Sequence, residues 1–178
     1  MGKRPRIKVK KETVIVDELE FKPNCCSENA RQFYNYEEIE IELWVDKHCH
    51  LRQILGDENG KREGIELEVI KDLVIRSFTY LLNLYLKSPN FKFIKYIEDR
   101  KRDIRTVLKE TIDEKTLNIV IETHYLKNSK FEITIKTAMV VDNFRISDNQ
   151  YVLFVKEKEA DLKRFANKGF QQIGNVSI

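Results

Sequence analysis

Residues 66–87, "ELEVIKDLVIRSFTYLLNLYLK", run without a glycine or a proline. Apolar side chains recur at Ile70, Val74, Phe78, Leu81 and Tyr85, the three- and four-residue spacing of one helix face, and Leu73, Leu82 and Leu84 broaden that face. The spacing predicts a helix of roughly 33 Å at 1.5 Å per residue, long enough to cross a small sheet. "SPN" at 88–90 stops it, and so wide an apolar surface needs a second layer to cover it.

Beyond the helix the apolar period changes from near four to two. "FKFIKYIE" (91–98), "RTVLKETI" (105–112), "LNIVIETHYL" (117–126), "FEITIKTAMVV" (131–141) and "QYVLFVKE" (150–157) read as successive strands of an antiparallel meander with short polar turns. The tail "KEADLKRFANKG" reads as a short C-terminal helix. Before the helix, "TVIVDELEFK" (13–22) and "EEIEIELWV" (37–45) alternate as half-buried strands, and "PNCCSENARQ" between them is turn chemistry. The expected fold class is α+β: a long helix packed on a mostly antiparallel sheet, with an N-terminal strand extension. The expected division is 1–45 as basic arm and strand extension and 46–178 as α+β core.

The 178 residues suit one domain with a full core, and 42% apolar with 34% charged residues is a globular composition with a heavily charged surface. No apolar run is long enough to span a bilayer, and no apolar stretch follows the basic start, so a cytoplasmic chain without membrane contact is expected. Arg6 stands where an N-terminal myristoylation signal needs Ser or Thr. Three cysteines, two of them adjacent, make a poor disulfide framework and suggest reduced thiols. The net charge is only +3, but Lys3, Arg4, Arg6, Lys8, Lys10 and Lys11 form an acid-free arm, and "EDRKRDIR" at 98–105 adds a second basic knot with Arg100 and Arg102. Both are placed to meet phosphates, and both also fit a solvated terminus and hairpin tip.

The titratable residues concentrate in "WVDKHCHLRQILGDENGKREGI", residues 44–65. A short helix from about Asp46 to Leu55 is expected there, with Asp46 as N-cap and Gly56 ending it. His48 and His50 would share a face only on a strand; on a helix they diverge by about 200°. No C-x-x-C or H-x-x-x-H spacing occurs anywhere, so neither metal nor cofactor is expected. Cys49 lies between the histidines, but a nucleophile and its base must meet in space, and a small buried side chain is the commoner role for a free cysteine. Glu38, Glu40 and Glu42 read as a solvated strand face, and no phosphate-binding glycine loop is present.

His48 followed by Arg52, then Arg62, a long helix, and later strands carrying "ITIKTAM" together form an arrangement that resembles small bacterial toxin-like ribonucleases of the barnase, EndoU, colicin and RelE superfamily. The resemblance spans about residues 46–155. It implies metal-independent RNA cleavage, with the histidine role on His48, arginine roles on Arg52 and Arg62 and a late polar role on Thr137. Lys136, His50, Arg100 and Arg102 are the implied nucleic-acid contacts. It also implies RNA and an inhibitor or antitoxin protein as partners. A histidine that titrates near neutral pH suits the acid or base role, and the arginine fork suits phosphate oxygens. Tyr96, Tyr125 and Phe144 are candidates to stack an unpaired base, although core or ordinary sheet surface is the commoner use of an aromatic. The other open reading is a non-catalytic protein- or nucleic-acid-binding module that uses the basic arm and strand edges. Convergence of His48 or His50, Arg52 and Lys136 in one cleft would favour catalysis. Their scatter would favour binding. Oligomeric state is not legible.

Overall fold

The computed structural model describes residues 17, 20–36, 39–51, 56, 64–96 and 103–177. Its one long helix, α2 (Leu67–Lys87), lies where the periodicity predicts. The other elements are strands β1 (Ala30–Tyr36), β2 (Ile41–Asp46), β3 (Ile94–Tyr96), β4 (Arg105–Ile112), β5 (Lys115–Tyr125), β6 (Phe131–Val140), β7 (Tyr151–Val155), β8 (Glu159–Ala166) and β9 (Gly169–Ser177), with a single turn α1 (Lys47–Cys49) after β2.

The expected α+β class is overturned. The molecule is mostly β, 48% strand against 20% helix, and its nine-stranded sheet is mixed. The order is β1-β2-β6-β5-β4-β7-β8-β9, with β3 beside the far end of β5. Three pairings are parallel: β2 with β6, β3 with β5, and β4 with β7. The meander holds only for β4, β5 and β6. After β6 the chain crosses the sheet through residues 141–150, and Phe144 and Ile146 pack on Val107, Val120 and Val152 on the way. It then sets β7 beside β4, in parallel.

The expected short C-terminal helix is instead the β8–β9 hairpin. Its two-residue turn places Asn167 (φ 53) and Lys168 (φ 63) in the left-handed region, the geometry that matches strand twist in a tight hairpin. Ala160 and Leu162 are buried on one side, and the period of two wins over the helical propensity of Ala, Leu, Lys and Arg. Strand β2 crosses the expected boundary at 45/46 and pairs with β6, so the N-terminal strands belong to the same sheet as the rest.

α2 covers one face of the sheet, here called the inner face. Ile70, Leu73, Val74, Phe78, Leu81 and Leu84 share one apolar core with Leu43, Val45, Ile119, Ile121, Ile133, Ile135 and Leu153. Phe78 packs edge-on against Phe131 at 5.0 Å and Phe93 at 6.0 Å. At Gly174 on β9, a Cβ would lie 3.1 Å from Leu84 Cδ2, so the missing side chain lets α2 approach β9 closely. Among the described residues no helix is long and apolar enough to cross a membrane.

Candidate nucleic-acid interface

The sequence-predicted residues occupy three different settings. His48 is exposed at the start of α1, which Asp46 caps as expected: the Asp46 carboxylate accepts the His48 backbone N–H at 2.9 Å. His50, two residues on, is buried against the Phe21 ring at 5.8 Å, so the two histidines do not share a face. Burial, with Arg31 nearby, holds the His50 imidazole below its ordinary pKa, and its Nδ1 has no partner among the described residues. Lys136 is the extra residue of a bulge in β6, where Val120 faces Thr137 and Ile121 faces Ile135. Its ammonium donates to Asp46 Oδ2 and to the Cys26 carbonyl, both at 3.2 Å. Thr137 follows, half-buried. Arg52, Arg62, Arg100, Arg102 and the basic N-terminal arm lie outside the described residues.

Asp46 is thus a junction. Its Oδ2 also accepts from Ser27 Oγ at 2.7 Å, so α1, β6 and the 23–29 turn meet on one carboxylate. A cleft of about 350 Å³ opens beside it, lined by Ser27, Asn29, Asp46, His48 and Leu51.

The 23–29 turn is strapped over the outer face of β6. Asn24 closes it locally by accepting the N–H groups of Cys26 and Ser27, and its amide donates to Thr134 at 2.7 Å. The Cys25 N–H donates to Glu132 at 2.9 Å. Next to this strap, buried Glu122 accepts from Arg105 at 2.7 Å, and His124 is buried with Nδ1 unpartnered among the described residues. Burial raises the Glu132 carboxyl and lowers His124. Burial also pushes the thiols up, Cys25 to about 11 and Cys26 and Cys49 to about 12, which keeps them protonated at neutral pH. Among the described residues no three His, Cys, Asp or Glu side chains are grouped to hold a metal ion. This patch is a polar bed whose charges are matched from within.

The outer face of β4, β7, β8 and β9 has a different character. Leu153 and Val155 point into the main core, so Phe154 between them faces outward, onto the Val107–Val120–Val152 cluster. Phe170 packs edge-on against Phe154 at 5.4 Å and Phe165 at 5.3 Å, and the residue is 46% exposed. Lys109 and Lys163 lie over the Phe154 ring at 5.8 and 5.0 Å. Neither lysine makes an ion pair among the described residues. The three rings meet edge to face with two ammonium groups over Phe154, and Phe170 is the exposed ring of this platform, on which a flat, anionic ligand can stack.

Reading the tail as a helix conceals this platform, because a helical 158–169 would take Phe165 out of the sheet and away from Phe154 and Phe170. The available signal was the alternation Ala160, Leu162 against Asp161, Lys163, Phe165, followed by "NKG" as a hairpin turn. Of the stacking candidates chosen from sequence, Tyr96 is exposed, Tyr125 packs on Phe131 at 5.2 Å, and Phe144 covers the outer-face valines. Neither a family model, nor a curated protein, nor a solved structure matches this chain.

Proposed function

We propose that the protein is a binding module for single-stranded RNA and that it works in the cytoplasm, where its cysteines stay reduced. The observation that carries this reading is the Phe154–Phe165–Phe170 platform flanked by Lys109 and Lys163. Every base has a stacking face, so rings on an open sheet hold unpaired bases without a sequence code, and nearby ammonium groups meet the backbone. Duplex is disfavoured because its bases are already stacked. Fluorescence anisotropy with a labelled oligonucleotide tests this. Phe170→Ala should weaken binding about tenfold, at the low end of what one stacked base contributes. A duplex bound as tightly as the single strand, or a variant bound as tightly as the parent, overturns it; single-stranded DNA of the same sequence reports whether the 2′-hydroxyl matters.

The cleft beside Asp46 favours a second reading, a metal-independent endoribonuclease. The exposed His48, which lines that cleft, would act as acid or base; Lys136, held on Asp46, and Thr137 would take the phosphate-binding roles with Arg52 and Arg62, the last two lying outside the described residues. Such an enzyme would need an inhibitor or antitoxin protein in its own cell. RNA that stays intact with the parent protein, or that degrades equally with His48→Ala, removes this reading.

A further inference from the structure

A notch lies at the carboxyl ends of β4 and β7, between the β4–β5 turn and the β7–β8 turn, with a volume of about 580 Å³. That is within the range of small-ligand sites, roughly 300 to 1,000 Å³. We infer that it is a nucleotide site which receives the terminal nucleotide of the strand bound on the platform. The inference rests on the sheet face being the strand-binding surface.

Three features carry it. First, notch and platform share a wall. Lys109 and Phe154 line the notch, stand opposite one another in the parallel β4–β7 register, and also form the near end of the platform. A strand stacked along Phe170 and Phe154 therefore runs into the notch. Second, the lining combines an apolar slot with polar groups that retain bonding capacity. Ile112 leaves 55% of its surface open beside the notch, an apolar surface for a base to cover. Thr111 and Thr116 pair hydroxyl to hydroxyl at 3.0 Å, and each oxygen keeps further acceptor capacity. On the inner side Glu110 is buried and accepts from Arg76 at 2.7 Å. Third, the lining keeps a cation for a phosphate. It holds Arg76, Lys109 and Lys156 with Glu110 and Glu157. Arg76 is matched by Glu110 and Lys156 by Glu159, which leaves Lys109 and the exposed Glu157 as lining charges with no ion-pair partner among the described residues, so Lys109, on the platform side, is the group a phosphate would meet. A phosphate at Lys109 on the outer side, with its base turned over the carboxyl end of β4 against Ile112, which alternation puts on the inner side with Glu110, uses both walls of the notch.

The test uses the full chain and nucleoside monophosphates, titrated alone by calorimetry and as competitors against the labelled oligonucleotide. Monophosphates should bind directly and compete. Ile112→Asp, at a position 55% exposed, should weaken monophosphate binding at least about tenfold and weaken the strand as well, whereas Phe170→Ala acts on the strand. A strand that binds while monophosphates neither bind nor compete overturns the notch and leaves the RNA-binding reading standing. Ile112→Asp with unchanged monophosphate binding also overturns it. Monophosphates that bind when the strand does not overturn both the platform and the claim that the notch receives a strand end, and binding of neither refutes both.

Discussion

Asp46 accepts from the His48 backbone N–H, Ser27 Oγ and Lys136 Nζ. Burial by itself would raise its carboxyl, but the hydrogen bonds from Ser27 and Lys136, the Lys136 charge and the His48 N–H outweigh that, so its pKa falls below 3.8. The carboxylate is therefore favoured more in the folded state than in the unfolded one. Its stabilisation is complete above the unfolded value and is lost as pH falls below 3.8 toward the folded value. Asp46→Ala removes both the cap and the Lys136 pairing and should cost about 2 kcal/mol in chemical denaturation at neutral pH. The buried histidines act in a higher window. His50 and His124 are held below 6.5, so acidification through 6.5 protonates the unfolded chain first and lowers stability. Glu132 opposes them, because its folded carboxyl lies above 4.5 and takes up its proton before the unfolded one does. Melting temperature should accordingly fall between pH 7.5 and 5.5, and His124→Gln should flatten that slope; an unchanged slope would remove His124 from the account.

At the scale of elements, α2 is legible from its residues alone, because helix periodicity and burial are one local pattern. Phe78, buried between Phe93 and Phe131, should cost about 3 to 5 kcal/mol as Phe78→Ala. Ser77 is buried on the same helix with its hydroxyl unpartnered among the described residues, so Ser77→Ala should be neutral or should stabilise by about 1 kcal/mol. The β8–β9 turn holds Lys168 at φ 63, where a side chain is strained and glycine is not. Lys168→Gly should raise stability by roughly 0.5 to 1 kcal/mol, and a loss would mean that the lysine makes a contact in the hairpin stronger than the strain. Asn167 and Gly169 flank that lysine and mark the turn in the sequence, yet the helix formers Ala160, Leu162 and Lys163 before it point the other way. Local preference misleads there because burial of Ala160 and Leu162 against the sheet decides the conformation.

For the molecule as a whole, the α2 side of the sheet holds the continuous core and the other side carries the polar bed, the crossing 141–150 loop and the aromatic platform. On the proposed reading, Lys109 and Lys163, which have no carboxylate partner among the described residues, would set the electrostatic share of RNA binding. If both meet phosphates, log Kd should rise with log salt with a slope of about 1.4, roughly 0.7 for each, and Lys109→Ala or Lys163→Ala should each remove about half of it. A slope unaffected by either substitution would separate the platform from the phosphate contacts.

By itself the sequence determined what depends on near neighbours: the span of α2, the Asp46 cap, the turn around Asn24, and the strand character of 105–112, 117–126 and 131–141. It also singled out His48, Lys136 and Thr137, while Arg52, Arg62, Arg100 and Arg102 lie outside the described residues. Only the tertiary structure decided that β2 lies parallel to β6, that β7 returns beside β4, and that Phe154, Phe165 and Phe170 meet on one face. A strand's partner, direction and outward face are fixed by contacts with residues distant in the chain. A period of two is the same whether the neighbour runs parallel or antiparallel, so the order of the sheet leaves no local trace to read.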